Sequence, residues 1–296
     1  MHVLVLYGGP SAEREVSLVS GKAVAAGLRE AGHHVAEIDV RPETLDAALS
    51  KQADVVFPVL HGTWGEDGQL QAILEQRHIR FVGSGAASSK LGMDKAATKL
   101  VWEKAGLPTP PYELVTKANP ITTINAPCAV KAVDSGSSVD VYICQKQADA
   151  DKALKTLLGK YGRALVEQFI KGPELTVGLL EEKALAPIRI VPKVEFFDYE
   201  AKYKRNDTEH RFDTGLPPDL IEKCQRLAEK GNAIVGARDL ARVDIMIDQK
   251  SHEPYMLEIN TLPGFTPKSL LPEAAAHAGI KFPQLVDRLV KRAAAR

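Results

Sequence analysis

The sequence predicts an α/β chain that opens with a parallel sheet and continues into antiparallel strand pairs. Three observations carry that expectation. Near the N terminus short β-rich runs alternate with helical patterns, which implies parallel strands joined by crossover helices on both faces. Around residues 84–111 the composition changes, and Gly106-Leu-Pro-Thr-Pro-Pro111 marks a helix stop and linker, hence a domain boundary. Beyond it, Leu240 to Ile247 and Pro254 to Ile259 are β-rich runs joined by polar Asp248 to Glu253, the mark of a strand pair.

At 296 residues with 45% apolar side chains the chain has room for two or three domains with ordinary cores. Lys plus Arg and Asp plus Glu both number 38, so no global field favours nucleic acid or an anionic membrane, and any anion site must be local. Cys128, Cys144 and Cys224 are odd in number and in no CxxC pair, which argues against a disulfide framework or a zinc site. The first residues lack a basic n-region, and no run approaches 18 uninterrupted apolar residues, so a cytoplasmic protein with no membrane partner is expected.

In chain order, Val3 to Tyr7 reads as a strand, Gly8 to Ala12 as a turn and Arg14 to Ala31 as a helix. Strand Val35 to Val40, helix Pro42 to Ser50, strand Asp54 to Leu60, helix Gly68 to Gln76 and short strand Ile79 to Val82 follow. Function in such sheets sits at the carboxyl ends of strands, where Gly8 to Glu15 and His61 to Gly68 fall. The first loop lacks GxGxxG and the P-loop pattern. Glu15 near a helix start suits either a surface acid that complements the dipole or a ligand for a substrate cation, and His61 either a structural loop histidine or a catalyst.

Asp94 reads as the N-cap of a helix running to Ala105, which puts Lys95 in the first turn, where a lysine opposes the macrodipole unless an anion offsets it. Strands at Pro127 to Lys131 and Val139 to Cys144 flank Ala132 to Ser138, a Gly/Ser loop that suits folding over phosphates and equally suits a plain turn. Lys131 ends an apolar strand, where a partner anion explains a half-buried lysine best. After helix Ala148 to Leu158 and strand Ala164 to Phe169, the stretch Glu167 to Ile170 with Glu174 suits an adenine and ribose site or an exposed edge strand. Two strands span Leu175 to Pro192, and the polar, aromatic-bearing segment Lys193 to Gly215 reads as a lid. Helix Pro218 to Gly236, the opening strand pair, and helices Leu271 to Ala278 and Phe282 to Ala294 complete the chain.

Side chains alternate along a strand, so Glu258 and Asn260 share a face, and a neighbouring strand brings Asp244 beside them. Three hard oxygen ligands suit Mg2+ held together with substrate phosphates, although a solvated hairpin has the same spacing.

Taken together, Tyr7-Gly-Gly-Pro-Ser-Ala-Glu-Arg-Glu-Val-Ser17, Leu60-His-Gly-Thr-Trp-Gly-Glu-Asp-Gly68, Met93-Asp-Lys95, Gly136-Ser-Ser-Val139, Tyr199-Glu-Ala-Lys-Tyr203, Arg242-Val-Asp244 and Glu258-Ile-Asn-Thr-Leu-Pro-Gly264 resemble the D-alanine-D-alanine ligase family over nearly the whole chain. The resemblance implies an N-terminal Rossmann-like domain (1–88), a central ATP-grasp lobe (89–178) and a C-terminal ATP-grasp lobe (179–296). It implies that ATP phosphorylates one D-alanine and that the amine of a second attacks the acyl phosphate, in a homodimeric enzyme of peptidoglycan precursor synthesis.

By the same resemblance Lys95, Lys131 and Lys202 contact ATP phosphates, while Asp244, Glu258 and Asn260 hold two Mg2+ ions, for which Mn2+ would substitute. Glu167, Gln168, Phe169, Ile170, Glu174, Phe196 and Leu257 match the nucleotide pocket. Arg242 and the backbone N–H of Gly264 face the oxyanion. Glu15 and His61 match the first D-alanine site, and Ser269 and Leu270 the second. Ser137 and Tyr203 match a pair tied to Glu15 by hydrogen bonds. A monovalent cation remains an option.

Ser135, Asp140, Gln168 and Lys268 depart from the family's usual residues. Tyr203 matches the dipeptide-forming enzymes, whereas Leu262 and Phe265 resemble relatives that join D-alanine to D-lactate. That relative, or one using D-serine, is the first rival; a non-catalytic nucleotide-binding regulator on the same fold is the second.

Overall fold

The computed structural model of the protein describes residues 1–136, 140–192 and 208–296. Three parallel strands open it: β1 (His2–Gly8) lies between β2 (His34–Val40) and β3 (Val55–Pro58). Helix α1 (Arg14–Glu30) joins β1 to β2, and a 3-10 turn with α2 (Leu45–Leu49) leads to β3. The alternation of β1 sends Val3 and Val5 to a core shared with Val24, Leu28, Phe57, Leu285 and Leu289, while Leu4 and Leu6 pack with Leu45, Leu70 and Leu74. Both faces of the sheet are therefore buried, as a parallel sheet requires.

The expected strand at Ile79 to Val82 reduces to one bridge between Phe81 and Val56. Left-handed backbone at His78 (φ 55°) and Gly83 (φ 98°) brackets the segment and cuts its pairing short. Helix α3 (Gln69–Gln76) falls where expected, whereas α4 (Ala86–Met93) was not anticipated: Ala-Ala-Ser-Ser-Lys-Leu-Gly-Met carries no clear apolar stripe. Helix α5 (Lys95–Lys104) follows at once, with the Asp94 carboxylate accepting from Ala97 N at 2.9 Å as its N-cap.

Strands β4 (Tyr112–Thr116), β5 (Cys128–Lys131), β6 (Val141–Cys144) and β7 (Arg163–Gln168) form an antiparallel sheet in the order β4-β7-β5-β6, covered by α6 (Gln147–Tyr161). Strand β4 is a further addition to the expected elements. A last antiparallel sheet contains β8 (Glu174–Leu180), β9 (Lys183–Ala184), β10 (Ile188–Pro192), β11 (Thr208–Arg211), β12 (Leu240–Ile247) and β13 (Pro254–Asn260). Strand β11 lies inside the stretch read from sequence as a lid, of which residues 193–207 lie outside the described residues.

Helix α7 (Pro218–Val235) buries Leu220, Cys224 and Ala228 against β8 and β12 and stops at Gly236, whose φ of 73° suits glycine. Gly172 links the two antiparallel sheets where a Cβ would lie 1.9 Å from the Ile247 carbonyl oxygen, so only glycine fits. Helices α8 (Leu270–His277) and α9 (Phe282–Ala294) end the chain, and α9 returns to pack on α1 and β3.

Candidate active site

A cavity of about 1100 Å3 opens between the two antiparallel sheets. Its lining includes Lys95, Lys131, Glu167, Gln168, Phe169, Ile170, Glu174, Arg242, Asp244, Leu257, Glu258, Asn260 and Leu270. The fold thus brings residues far apart in sequence to one cavity. Ser137, Phe196, Lys202 and Tyr203 lie outside the described residues.

The β12–β13 pair sets the acidic wall. Its register puts Asp244 opposite Glu258 and Arg242 opposite Asn260, and an irregularity between Asp244 and Ile245 re-aims the strand there. Arg242 donates to Asp244 through Nε at 3.0 Å and a terminal nitrogen at 2.9 Å, and Thr176 Oγ1 donates to the same carboxylate at 2.5 Å. This two-point clamp fixes the plane of the Asp244 carboxylate. Burial opposes the Arg242 charge, but Asp244 holds its pKa above the ordinary value. The guanidinium read from sequence as facing the oxyanion is thus also the orienting partner of Asp244.

Glu258 is partly open to the cavity, with Oε2 3.4 Å from Lys95 Nζ. Burial would raise its carboxyl, yet Lys95, Lys131 and Arg242 hold it down at about 2. It is fully ionised at neutral pH. Asn260 Oδ1 accepts from Leu262 N at 2.9 Å, which fixes the amide oxygen. Two carboxylates and an amide oxygen on adjacent strand positions form a hard donor set that fits Mg2+.

The opposite wall is cationic. Lys95 donates from its backbone N to Val133 O at 3.0 Å and from Nζ to Ser135 O at 2.6 Å, tying α5 to the loop after β5. Lys131 pairs with Glu167, whose second oxygen lies 2.9 Å from Lys99 Nζ. Glu167, expected at the nucleotide, is 2% exposed and turns its carboxylate to these two lysines. At Asp140, where the family commonly has glycine, φ is 56° and the carboxylate accepts from Lys160 Nζ (2.7 Å), Tyr161 OH (2.5 Å) and Tyr142 OH (3.1 Å). These three bonds compensate the left-handed backbone, and the two from Lys160 and Tyr161 tie Asp140 to α6.

Glu15, His61, Gly264 and Ser269 do not border the cavity in the described structure. Glu15 sits in the first turn of α1 and is exposed. Its neighbour Glu13 is the residue aimed inward: a Cβ on Gly62 or Gly136 would lie 2.8 or 3.1 Å from Glu13 Oε2. The sequence reading placed the helix start correctly and chose the acid inside the first turn, whereas the N-cap acid Glu13 is the one beside these glycines and Glu15 is exposed.

His61 is buried, with Nδ1 3.5 Å from Glu66 Oε1, and Nε2 makes no hydrogen bond among the described residues. Burial would lower its pKa, but Glu66 and then Glu13 carry it above the ordinary value. Near the start of α8, Ser269 Oγ accepts from Thr266 N at 2.9 Å and would lie 2.9 Å from a Cβ on Gly264. Leu262 and Phe265, which resemble the lactate-forming relatives, are both buried; the Phe265 ring packs edge-on to Phe57 at 5.4 Å.

A parallel three-stranded unit ahead of two antiparallel sheets that close on a charged, oxygen-rich cavity defines an ATP-grasp protein. The family model described as D-ala D-ala ligase C-terminus matches residues 101–291, and its N-terminal counterpart matches residues 40–84. A D-alanine--D-alanine ligase of Anaeromyxobacter dehalogenans strain 2CP-C is 39% identical over 99% of this chain and 96% of its own length. One from Marinobacter nauticus is 43% identical over 98% and 90%. The crystal structure of D-alanine--D-alanine ligase from Bacillus anthracis complexed with ATP superposes with a TM-score of 0.87 at 32% identity, over 99% of this chain and 96% of that one. This chain belongs to the D-alanine--D-alanine ligase family.

Proposed function

We propose that the protein uses ATP to join two D-alanine molecules, through a D-alanyl phosphate, into D-alanyl-D-alanine for peptidoglycan precursor synthesis. The observation that carries this reading is the facing of Lys95 and Lys131 on one wall by Glu258 and Asp244 on the other, in a single cavity. Lys95 and Lys131 would bind the nucleotide phosphates and offset the charge that grows as the phosphoryl group transfers. Phe169, Ile170 and Leu257 supply apolar walls for the base, and Glu174 an acceptor for ribose hydroxyls.

Asp244, Glu258 and Asn260 would hold the Mg2+ that travels with ATP, and that ion would add positive charge at the phosphates. The first D-alanine carboxylate is the phosphoryl acceptor. Glu13, rather than Glu15, would hold its ammonium group, because Glu13 is the carboxylate directed at Gly62 and Gly136. Amine attack then builds an oxyanion toward Arg242 and the Gly264 N–H, and phosphate departs as the peptide bond closes.

The homodimer and cytoplasmic location belong to the same reading; Val16 (44% exposed) and Val19 (50%) on α1 would offer apolar surface to such a contact. No helix among the described residues is long and apolar enough to cross a membrane. The functional test is ADP release with D-alanine alone and then with D-lactate added. The dipeptide is the expected product under both conditions at neutral pH; depsipeptide as the main product would overturn the assignment of the second substrate.

A further inference from the structure

Lys99 stands four residues after Lys95 on α5, so the two share a face of the helix. Lys95 reaches the cavity, whereas Lys99 is fully enclosed at 0% exposure. Its ammonium lies 2.9 Å from Glu167 Oε2, donates to Thr109 Oγ1 at 2.7 Å, and sits 5.8 Å from the centre of the Tyr112 ring. Glu167 gives its other oxygen to Lys131, which borders the cavity. One buried carboxylate is thus shared by two ammonium groups, and only one of them faces the nucleotide space.

We propose that Lys99 is a positioning residue for nucleotide binding: by taking a share of Glu167 it lets that carboxylate hold Lys131 in place without cancelling the charge Lys131 presents to phosphate. This rests on the reading of Lys131 as a phosphate contact. With all three groups ionised the cluster sums to one positive charge, and in an enclosed site that charge is weakly screened. Without Lys99 the remaining pair is neutral, and Lys131 is drawn toward Glu167 with nothing opposing it.

The ionisation pattern agrees with the geometry. Burial favours neutral Glu167, but Lys131 and then Lys99 pull its pKa below the ordinary value. Burial also opposes the Lys131 charge, and Glu167, followed by Glu258 and Glu174, raises its pKa. Burial lowers that of Lys99, against the pull of Glu167.

The test measures ATP affinity of the full chain by calorimetry for Lys99→Met, Lys131→Met and the double variant Lys99→Met/Glu167→Gln, beside the KM values for ATP and D-alanine. Lys99→Met is expected to weaken ATP on the order of tenfold, as loss of one charge in a poorly screened site implies, with the KM for D-alanine unchanged. The double variant is expected to recover most of that affinity, because Lys131 then keeps its full charge. A double variant as weak as the single, or wild-type ATP affinity in Lys99→Met, overturns the proposal. Lys131→Met separates the two readings: if it binds ATP normally, the phosphate contact itself is wrong. Should Lys99→Met not fold, Thr109→Val, which removes only one partner of Lys99, is expected to weaken ATP about twofold to threefold; unchanged affinity would then count against the proposal.

Discussion

Two hairpins face the same cavity and hold their charges in different ways. In β12–β13 the charged residues sit on the strands, so Asp244 meets Glu258 and Arg242 meets Asn260 by register alone. In β5–β6 the lysine stands at the last position of β5, and Asp140, just ahead of β6, is held to α6 by its carboxylate. Strand positions are set by many backbone hydrogen bonds, whereas a loop depends on the few side chains that tether it. The acidic wall is therefore preorganised by the sheet, and the cationic wall by the Lys99, Glu167 and Asp140 tethers.

The largest effect expected from breaking this contrast is on the acidic wall. Asp244→Asn takes one oxygen from the acceptor pair of Arg242 and the negative charge from one of the three oxygen donors. Ligase activity is expected to fall on the order of a thousandfold with the circular dichroism spectrum unchanged; activity within tenfold of wild type would show that the register pair is ornamental.

The next effect separates two acids of α1. Glu13→Gln is expected to lower kcat/KM for D-alanine on the order of tenfold to a hundredfold, whereas Glu15→Gln stays within about twofold. The reverse order would restore Glu15 to the site and require a different approach of α1 to Gly62.

A smaller change is expected at the loop tether. Asp140→Gly removes three side-chain bonds but relieves the left-handed backbone, so the two effects partly cancel. The KM for ATP is expected to rise about threefold to fivefold with little change in kcat, read from steady-state ADP release. An unchanged KM would mean that α6 does not set the loop.

The smallest effect concerns His61. Glu66 and Glu13 raise its pKa, so its ionised form contributes stability that is complete below the ordinary histidine value and is lost as pH rises through the higher folded value. NMR titration of the imidazole is expected to give a midpoint above about 6.5, and thermal stability is expected to decline over that window less in His61→Asn than in wild type. A midpoint below the ordinary value would show that burial outweighs the two carboxylates.

Much of this contrast is legible in the sequence. The β12–β13 strands, their shared face and the Asp94 cap that presents Lys95 follow from alternation and capping, which are local rules. The Lys99–Glu167 contact does not, because it joins α5 to β7 across 68 positions, and a lysine on a helix reads as surface until its partners are placed. One cue was present: Lys95 and Lys99 share a helix face, so a cavity met by the first leaves the second beneath it. Glu13 was missed although the helix start at Arg14 was read correctly, because Ser-Ala-Glu-Arg-Glu offers two acids two positions apart and only their three-dimensional neighbours tell them apart. Helix α4 escaped because its small residues pack without an apolar stripe, and β11 because Thr-Glu-His-Arg reads as polar loop.

The most direct test of the two-wall account is the effect of Mg2+ on ATP affinity in Glu258→Gln. Glu258 is the ionised carboxylate closest to the opposing wall through Lys95, and the account assigns it to the metal. Calorimetric titration of ATP with and without Mg2+ is expected to show a clear gain of affinity with Mg2+ in the wild-type chain and little or none in the variant. An equal gain in both would contradict the assignment of the acidic wall.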